Sequence, residues 1–358
     1  MELPNLFLFS NGSKVKNLVD WHNRRVELIH IFQEIEYGYL PPAPLITRGE
    51  ILEKTPYASF PGAIYERYRL ISGPEPVFEF LIDLHIPPSP GPFSVALTGD
   101  ACWNYVTPEI IHEGLSRGFI LAQFDRTMIV PDAACPERNV GLYKIFPGMN
   151  FGALAAWAWG YHRCIDFLTD LTIVDSTRIA VVGHSRGGKT ALLAGGLDER
   201  IALTAPNDSG CAGAGCFRFQ GEGSETLRDI FGCFPYWFSP RLADFVDREN
   251  ALPLDQHFLK ALIAPRYLLS TEALGDIWAN PSGTWLTHLA AQEAFRFLGV
   301  EDRIAIWYRE GGHNHGLEDW KIFLDFALWK FYGSVNVQGI NRSPFMDLPA
   351  AFEWRAPL

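Results

Sequence analysis

The apolar run Ile179-Ala180-Val181-Val182 leads directly into Gly183-His184-Ser185-Arg186-Gly187, and the helix-forming stretch Lys189-Thr190-Ala191-Leu192-Leu193-Ala194 follows. A buried strand, a turn of small residues and a helix, in that order, hold a serine hydroxyl above the edge of a parallel sheet in the strained turn called a nucleophile elbow. The flanking glycines let the backbone turn without Cβ clashes. The start of the helix favours negative charge developing beside Ser185. A bare G-x-S-x-G pattern arises often by chance. Its place between a strand and a helix reads Ser185 as a catalytic nucleophile rather than part of a small-residue turn of no chemical use.

The rest of the chain supplies the layers that such an elbow needs. Trp21 to Phe32 reads as an amphipathic helix, closed by Gly38 and the breaker Pro41-Pro42. Strand-like runs follow at Tyr65–Ile71, Val77–Ile86, Phe93–Thr98 and Phe119–Phe124, with Pro87 to Pro92 as a turn between two of them. Phe151 to Leu168 reads as a helix bearing Trp157 and Trp159. Beyond the elbow helix come a strand at Ile201–Ala205, an irregular glycine-rich stretch from Gly210 to Gly223, and a polar, aromatic stretch to Asp255. Strand Tyr267–Thr271, helix Thr284–Phe297, strand Ile304–Tyr308 and helix Leu317–Phe331 complete an alternating order. The expectation is one catalytic domain over residues 1–358 with an α/β-hydrolase fold, a three-layer sandwich around a mostly parallel sheet. It carries an N-terminal helical extension to about residue 45 and inserted loops around 210–255.

Composition narrows the partners. A hydrophobic content of 48% and a charged content of 20% suit a globular chain with a sizeable core. A net charge of −11 without a dense Lys/Arg stripe argues against nucleic acid and anionic membrane surfaces. No apolar run reaches the length of a membrane span. The opening Met1-Glu2-Leu3-Pro4 shows no signal peptide pattern. Cys102, Cys135, Cys164, Cys211, Cys216 and Cys233 contain no C-x-x-C pair, so no structural metal site is expected. Cys211 pairing with Cys216 or Cys233, and free half-buried thiols, are both open readings.

A serine hydroxyl is a poor nucleophile until a base takes its proton, and that base must itself be oriented. In this fold the order along the chain is nucleophile, acid, histidine. His313 and His315, in Gly311-Gly312-His313-Asn314-His315-Gly316, lie between the last strand and the last helix, where the base belongs. His313 is preferred because it is nearer the strand end and follows two glycines; His315 then supports it or touches substrate. Asp276, just past the penultimate strand, is the preferred acid. Asp208, at the end of the strand after the nucleophile, is the alternative, and Glu272 a weaker third. The backbone N–H of Arg186 is an oxyanion donor by position, and its guanidinium offers a second. Lys189, one helical turn after Ser185, faces the same pocket.

These residues carry a resemblance. Gly183-His184-Ser185-Arg186-Gly187-Gly188-Lys189 resembles the elbow of the glucuronoyl esterases, carbohydrate esterase family 15. Further stretches agree with its bacterial members, among them Asn207-Asp208-Ser209-Gly210-Cys211, Ala251 to His257, Asp276-Ile277-Trp278-Ala279-Asn280-Pro281 and Arg309-Glu310-Gly311-Gly312-His313. Together with the block from Trp21 to Leu40, the resemblance covers nearly the whole chain. It implies hydrolysis of the ester that joins 4-O-methyl-glucuronic acid on xylan to lignin alcohols, through a covalent acyl-enzyme. It also implies Ser185 as nucleophile, His313 as base and Arg186 in the oxyanion hole, with Lys189, Glu225 and Trp278 on the sugar. Fungal members carry a glutamate at the position of Asp208, while many bacterial ones use the position of Asp276. The shorter aspartate at 208 supports Asp276. Fungal members also have a cysteine at the position of His184, bridged to the residue after the histidine; Asn314 stands there, so that bridge is absent. No cofactor or metal is needed for this chemistry. Family habit implies a secreted or periplasmic monomer. A broader carbohydrate esterase, such as an acetyl xylan esterase, and a non-catalytic carbohydrate-binding homologue are the competing readings.

Overall fold

The structure is a computed structural model that describes residues 2–73, 77–334 and 337–357; Met1 and Leu358, the two ends of the expected domain, lie outside the described residues. The N-terminal part forms α1 (Leu18–Phe32), capped by the Asn17 side chain, which accepts from the Asp20 N–H. A wider turn at Gln33–Tyr37 ends at Gly38 (φ +78°). Then come β1 (Thr47–Pro56), β2 (Ile64–Ser72), β3 (Phe78–Ile86), β4 (Phe93–Thr98), α2 (Pro108–Ser116) and β5 (Phe119–Phe124). After these follow α3 (Gly141–Ile145), α4 (Ala153–Asp170), β6 (Val174–His184), α5 (Arg186–Leu197) and β7 (Leu203–Asn207). The short α6 (Leu227–Cys233) and α7 (Gln256–Ala261) precede β8 (Tyr267–Ala273), α8 (Pro281–Phe297), β9 (Ile304–Arg309) and α9 (Leu317–Tyr332).

One sheet runs in the order β1-β2-β3-β5-β4-β6-β7-β8-β9. β1, β2, β3 and β5 pair antiparallel, and every pairing from β5 to β9 is parallel. The central strands are buried on both faces, as parallel strands covered by helices must be. Alternate residues serve opposite layers. Val95, Leu97, Ile179 and Val181 join the core beneath α4 and α5, whereas Ala96, Ala180 and Val182 join the one beneath α2 and α9. This is the three-layer α/β-hydrolase arrangement.

β1 departs from the sequence expectation, which placed no strand there. Most of its residues are half or fully exposed, and Arg48, Glu50, Glu53 and Lys54 break any apolar alternation, so the period-two signal is missing. All six cysteines are free thiols: Cys164, Cys211 and Cys216 are buried and Cys233 is exposed. No helix among the described residues is long and apolar enough to cross a membrane.

Candidate active site

Ser185 stands between β6 and α5 with φ +55° and ψ −124°, a conformation that L residues avoid. Its N–H donates to Asn207 O at 2.9 Å, which pins the turn to β7. The turn is too tight for side chains on its flanks. A Cβ on Gly183 would lie 2.3 Å from Gly187 O, and one on Gly187 would lie 2.0 Å from Asp100 Oδ1. Asp100 also accepts the His184 N–H at 2.8 Å and pairs with the fully buried Arg126, so it props the elbow from below.

A cavity of about 220 Å³ opens at this serine, lined by Ser185, Arg186, Lys189, Asp208, Glu225, Trp278 and His313, together with Phe234 and Trp237. Of the residues singled out from sequence, Asp276, Glu272 and His315 lie outside the lining. Asp276 is 6% exposed and sits behind His313: His313 Nδ1 and Asp276 Oδ2 are 2.5 Å apart. Ser185 and His313 share the cavity wall without a hydrogen bond between them among the described residues, a contact that commonly tightens only with substrate.

Asp208 approaches the same histidine but is otherwise engaged. Its Oδ1 accepts the Ala273 N–H at 2.6 Å and its Oδ2 accepts from Arg309 Nη2 at 3.2 Å. Ligand atoms of Asp208, Asp276 and His313 all lie within 4.8 Å of one another. Burial pushes the Asp208 carboxyl up to about 7; the Ala273 N–H opposes this and the nearby Asp276 adds to it. Glu272 is fully buried on β8, has no hydrogen-bond partner for either oxygen among the described residues, and burial pushes its carboxyl well above the usual carboxylate range. It forms no hydrogen bond or ion pair with His313 among the described residues.

Arg309, on β9, braces the histidine loop. It donates to Glu310 O (3.1 Å), Gly312 O (3.2 Å) and Asn314 O (2.5 Å), while its Nε bonds Asp319 at the start of α9 (2.7 Å). The ring of His313 lies 4.3 Å from that of His184, which in turn stacks on His315 (5.7 Å, 15°), and His315 on Trp320 (5.4 Å). His315 is therefore packed behind the site, not open to substrate. Asn207 Nδ2 donates to Thr271 Oγ1 and Asp319 Oδ1, which turns its Oδ1 toward His184 and makes His184 Nδ1 the donor across 2.6 Å. Burial, then His315 and His313, push His184 down to about 2, so a neutral ring backs the catalytic candidate.

The other flank holds the cations. Lys189 is 4% exposed; its Nζ donates to Ser209 O (2.6 Å) and Cys211 O (2.7 Å) and lies 3.8 Å from Glu225 Oε2. Glu225 N–H donates to Trp278 O, tying the two predicted sugar contacts together, and Trp278 is 53% exposed at the rim. The Arg186 guanidinium bonds Asp132, a residue that carries no motif and escaped the sequence reading. Phe234 and Trp237 escaped it too. Their loop is aromatic throughout, but nothing in the sequence ties it to the elbow.

An α/β-hydrolase elbow followed by a carboxylate and a histidine in this order is common to many esterases; the comparisons with known proteins decide among them. The family described as "Glucuronyl esterase, fungi" matches residues 77–299, more than half of the chain. The chain belongs to the glucuronoyl esterase family. A 4-O-methyl-glucuronoyl methylesterase of Phanerochaete chrysosporium is 32% identical over 324 residues, 87% of this chain and 65% of the relative. The carbohydrate esterase family 15 glucuronoyl esterase of Caldicellulosiruptor kristjansonii superposes with a TM-score of 0.86 at 28% identity, over 100% of this chain and 97% of that one. A mutant glucuronoyl esterase of Sporotrichum thermophile, solved in complex with methyl 4-O-methyl-β-D-glucopyranuronate, gives 0.79 at 26% identity over 98% and 92%. The chain spans 55% and 65% of the length of the first curated relatives it matches.

Proposed function

We propose that this chain is a serine esterase that hydrolyses glucuronoyl esters, cleaving 4-O-methyl-glucuronic acid of xylan from lignin alcohols. The observation that carries this reading is the His313–Asp276 pair at 2.5 Å, facing the strained Ser185 in a cavity lined by Arg186 and Lys189. Ser185 Oγ attacks the ester carbonyl carbon while His313 Nε2 takes its proton, and Asp276 supports the imidazolium through Nδ1. The N–H of Arg186 and its guanidinium stabilise the oxyanion. The tetrahedral adduct expels the alcohol, which takes the proton from His313. Water, activated by the same histidine, then attacks the acyl-enzyme and releases the glucuronate carboxylate. Both states place negative charge beside Arg186 and Lys189, so one cation pair serves both.

Glu225, held by Lys189, offers acceptors for sugar hydroxyls, and the exposed face of Trp278 suits stacking on the pyranose ring. Every residue in this scheme comes from one chain, so a single copy can carry the whole site, and the proposed form is a monomer working as one catalytic domain. A polymer-borne substrate supports work outside the cytoplasm, by secretion or periplasmic export.

The test is hydrolysis of benzyl glucuronate and of acetylated xylan by the wild type and Ser185→Ala. Turnover of the glucuronate ester, reduced by about 10⁴-fold or more in the variant, is expected. Turnover of acetylated xylan alone would replace this reading with an acetyl esterase, and binding to xylan oligosaccharides without turnover would leave a binding protein.

A further inference from the structure

We infer that Asp132 is a positioning residue, holding the Arg186 guanidinium and the aromatic wall of the acyl pocket with a single carboxylate. The inference rests on the esterase reading for the role given to Arg186. Asp132 lies on the connection that leaves β5, remote in sequence from both groups it holds. Its Oδ2 accepts from Arg186 Nη1 at 2.7 Å. Its Oδ1 accepts from Tyr236 Oη at 3.0 Å and from Trp237 Nε1 at 2.9 Å. Three donors from two elements thus converge on one side chain that is 16% exposed.

The guanidinium is fixed on its faces as well as its edge. Its carbon lies 4.6 Å from the Trp237 ring centroid, 4.9 Å from that of Phe234 and 5.6 Å from that of Trp103. Phe234 and Trp237 themselves stack at 4.0 Å and 5°. Arg186 Nε is buried and has no hydrogen-bond partner among the described residues, although the side chain borders the cavity at Ser185.

A free arginine side chain samples many rotamers, and a donor that must be found during reaction stabilises a transition state less than one already in place. A charge-assisted bond fixes the plane of the guanidinium. The same carboxylate ties the 234–237 wall to the sheet through β5, so the pocket wall and the oxyanion donor move as one body. Only a carboxylate offers acceptors on both sides. An amide must turn its NH₂ either toward Arg186, where it opposes one donor, or toward Tyr236 and Trp237, where it opposes two.

The test compares Asp132→Asn, Asp132→Glu and Tyr236→Phe by steady-state hydrolysis and by the rate at which a fluorophosphonate labels Ser185. Asp132→Asn is expected to lower kcat about 30-fold, with KM changing less than threefold or so. Asp132→Glu keeps the charge but displaces it, with an expected loss of about fivefold. Tyr236→Phe removes one arm of the wall and is expected to raise KM about threefold, with kcat falling less than twofold or so. Labelling of Ser185 should slow in the same order. It does not depend on which ester the enzyme prefers, so labelling that follows this order while glucuronate esters go unhydrolysed would sink the substrate and keep the positioning role. Should Asp132→Asn not fold, the Glu variant carries the test. Values of kcat and labelling rate within twofold of wild type in every Asp132 variant that folds would overturn the inference. So would a change confined to KM.

Discussion

The two flanks of Ser185 are made of different material. On the His313 side, Asp208, Asp276, Arg309 and the histidine loop all hang from the ends of β7, β8 and β9, and Asp319 from the first turn of α9. Their ion pairs set buried carboxylates against Arg309 and against His313, whose own ring is 44% exposed. On the Arg186 side, Asp132, Phe234 and Trp237 come from connections that leave the sheet, and aromatic faces do much of the holding. Proton transfer tolerates little positional error, and the residues proposed for it sit on strand ends. Ligand contacts vary between members of a fold, and the wall proposed to meet the ligand sits on connections outside the sheet.

Three experiments would break or sharpen this contrast. The largest effect is expected within the sheet-borne flank, between its two aspartates. Asp276→Asn should cut kcat by about 10³-fold or more, since the amide no longer accepts from His313 Nδ1 and the wrong tautomer is favoured. Asp208→Asn should cost about tenfold, because Asp208 acts through Ala273 and Arg309. Steady-state rates on benzyl glucuronate decide it, and the reverse ranking would move the charged partner of His313 to β7.

A smaller effect is expected on the loop-borne flank. Trp278→Ala should raise KM by roughly tenfold or less and leave kcat within about threefold, since an exposed ring contributes uniform binding. A fall in kcat of the size seen for Asp276→Asn would erase the distinction between the flanks.

The smallest effect concerns pH and stability. The Asp208 carboxyl sits at about 7 in the folded protein, above its unfolded value, because burial favours its neutral form. Its contribution to stability is fully present below the unfolded pKa and is lost as pH rises through the folded one. Asp208→Asn removes that loss. The difference in Tm between variant and wild type should therefore move by about 2–4 °C in the variant's favour between pH 4 and pH 8. A gap that stays constant would show that Asp208 is ionised throughout.

The same contrast explains what could be read from the chain. β4 and β5 follow their apolar runs residue for residue, because strands buried on both faces leave continuous hydrophobic stretches. The sheet-borne candidates come in an order that the fold dictates, so Ser185, Asp276 and His313 could be named together. β1 is a polar edge strand without alternation and left no signal. Asp132 lies 54 residues from Arg186 and 105 from Trp237, and no local pattern records a bond formed by tertiary packing. Arg309 was read only as part of a motif. Its grip on three carbonyls of the histidine loop is visible only in three dimensions.

The six unpaired thiols have a practical consequence. With no bridge to cleave, the fold should withstand reductant, and the buried Cys164, Cys211 and Cys216, each pushed well above the usual thiol range by burial, form little thiolate. Cys233, the one exposed thiol, closes α6 beside Phe234 and three positions before Tyr236. A maleimide dye placed there would sit one residue from the wall's Phe234, turning a wild-type side chain into a fluorescent gauge of how that wall responds when substrate arrives.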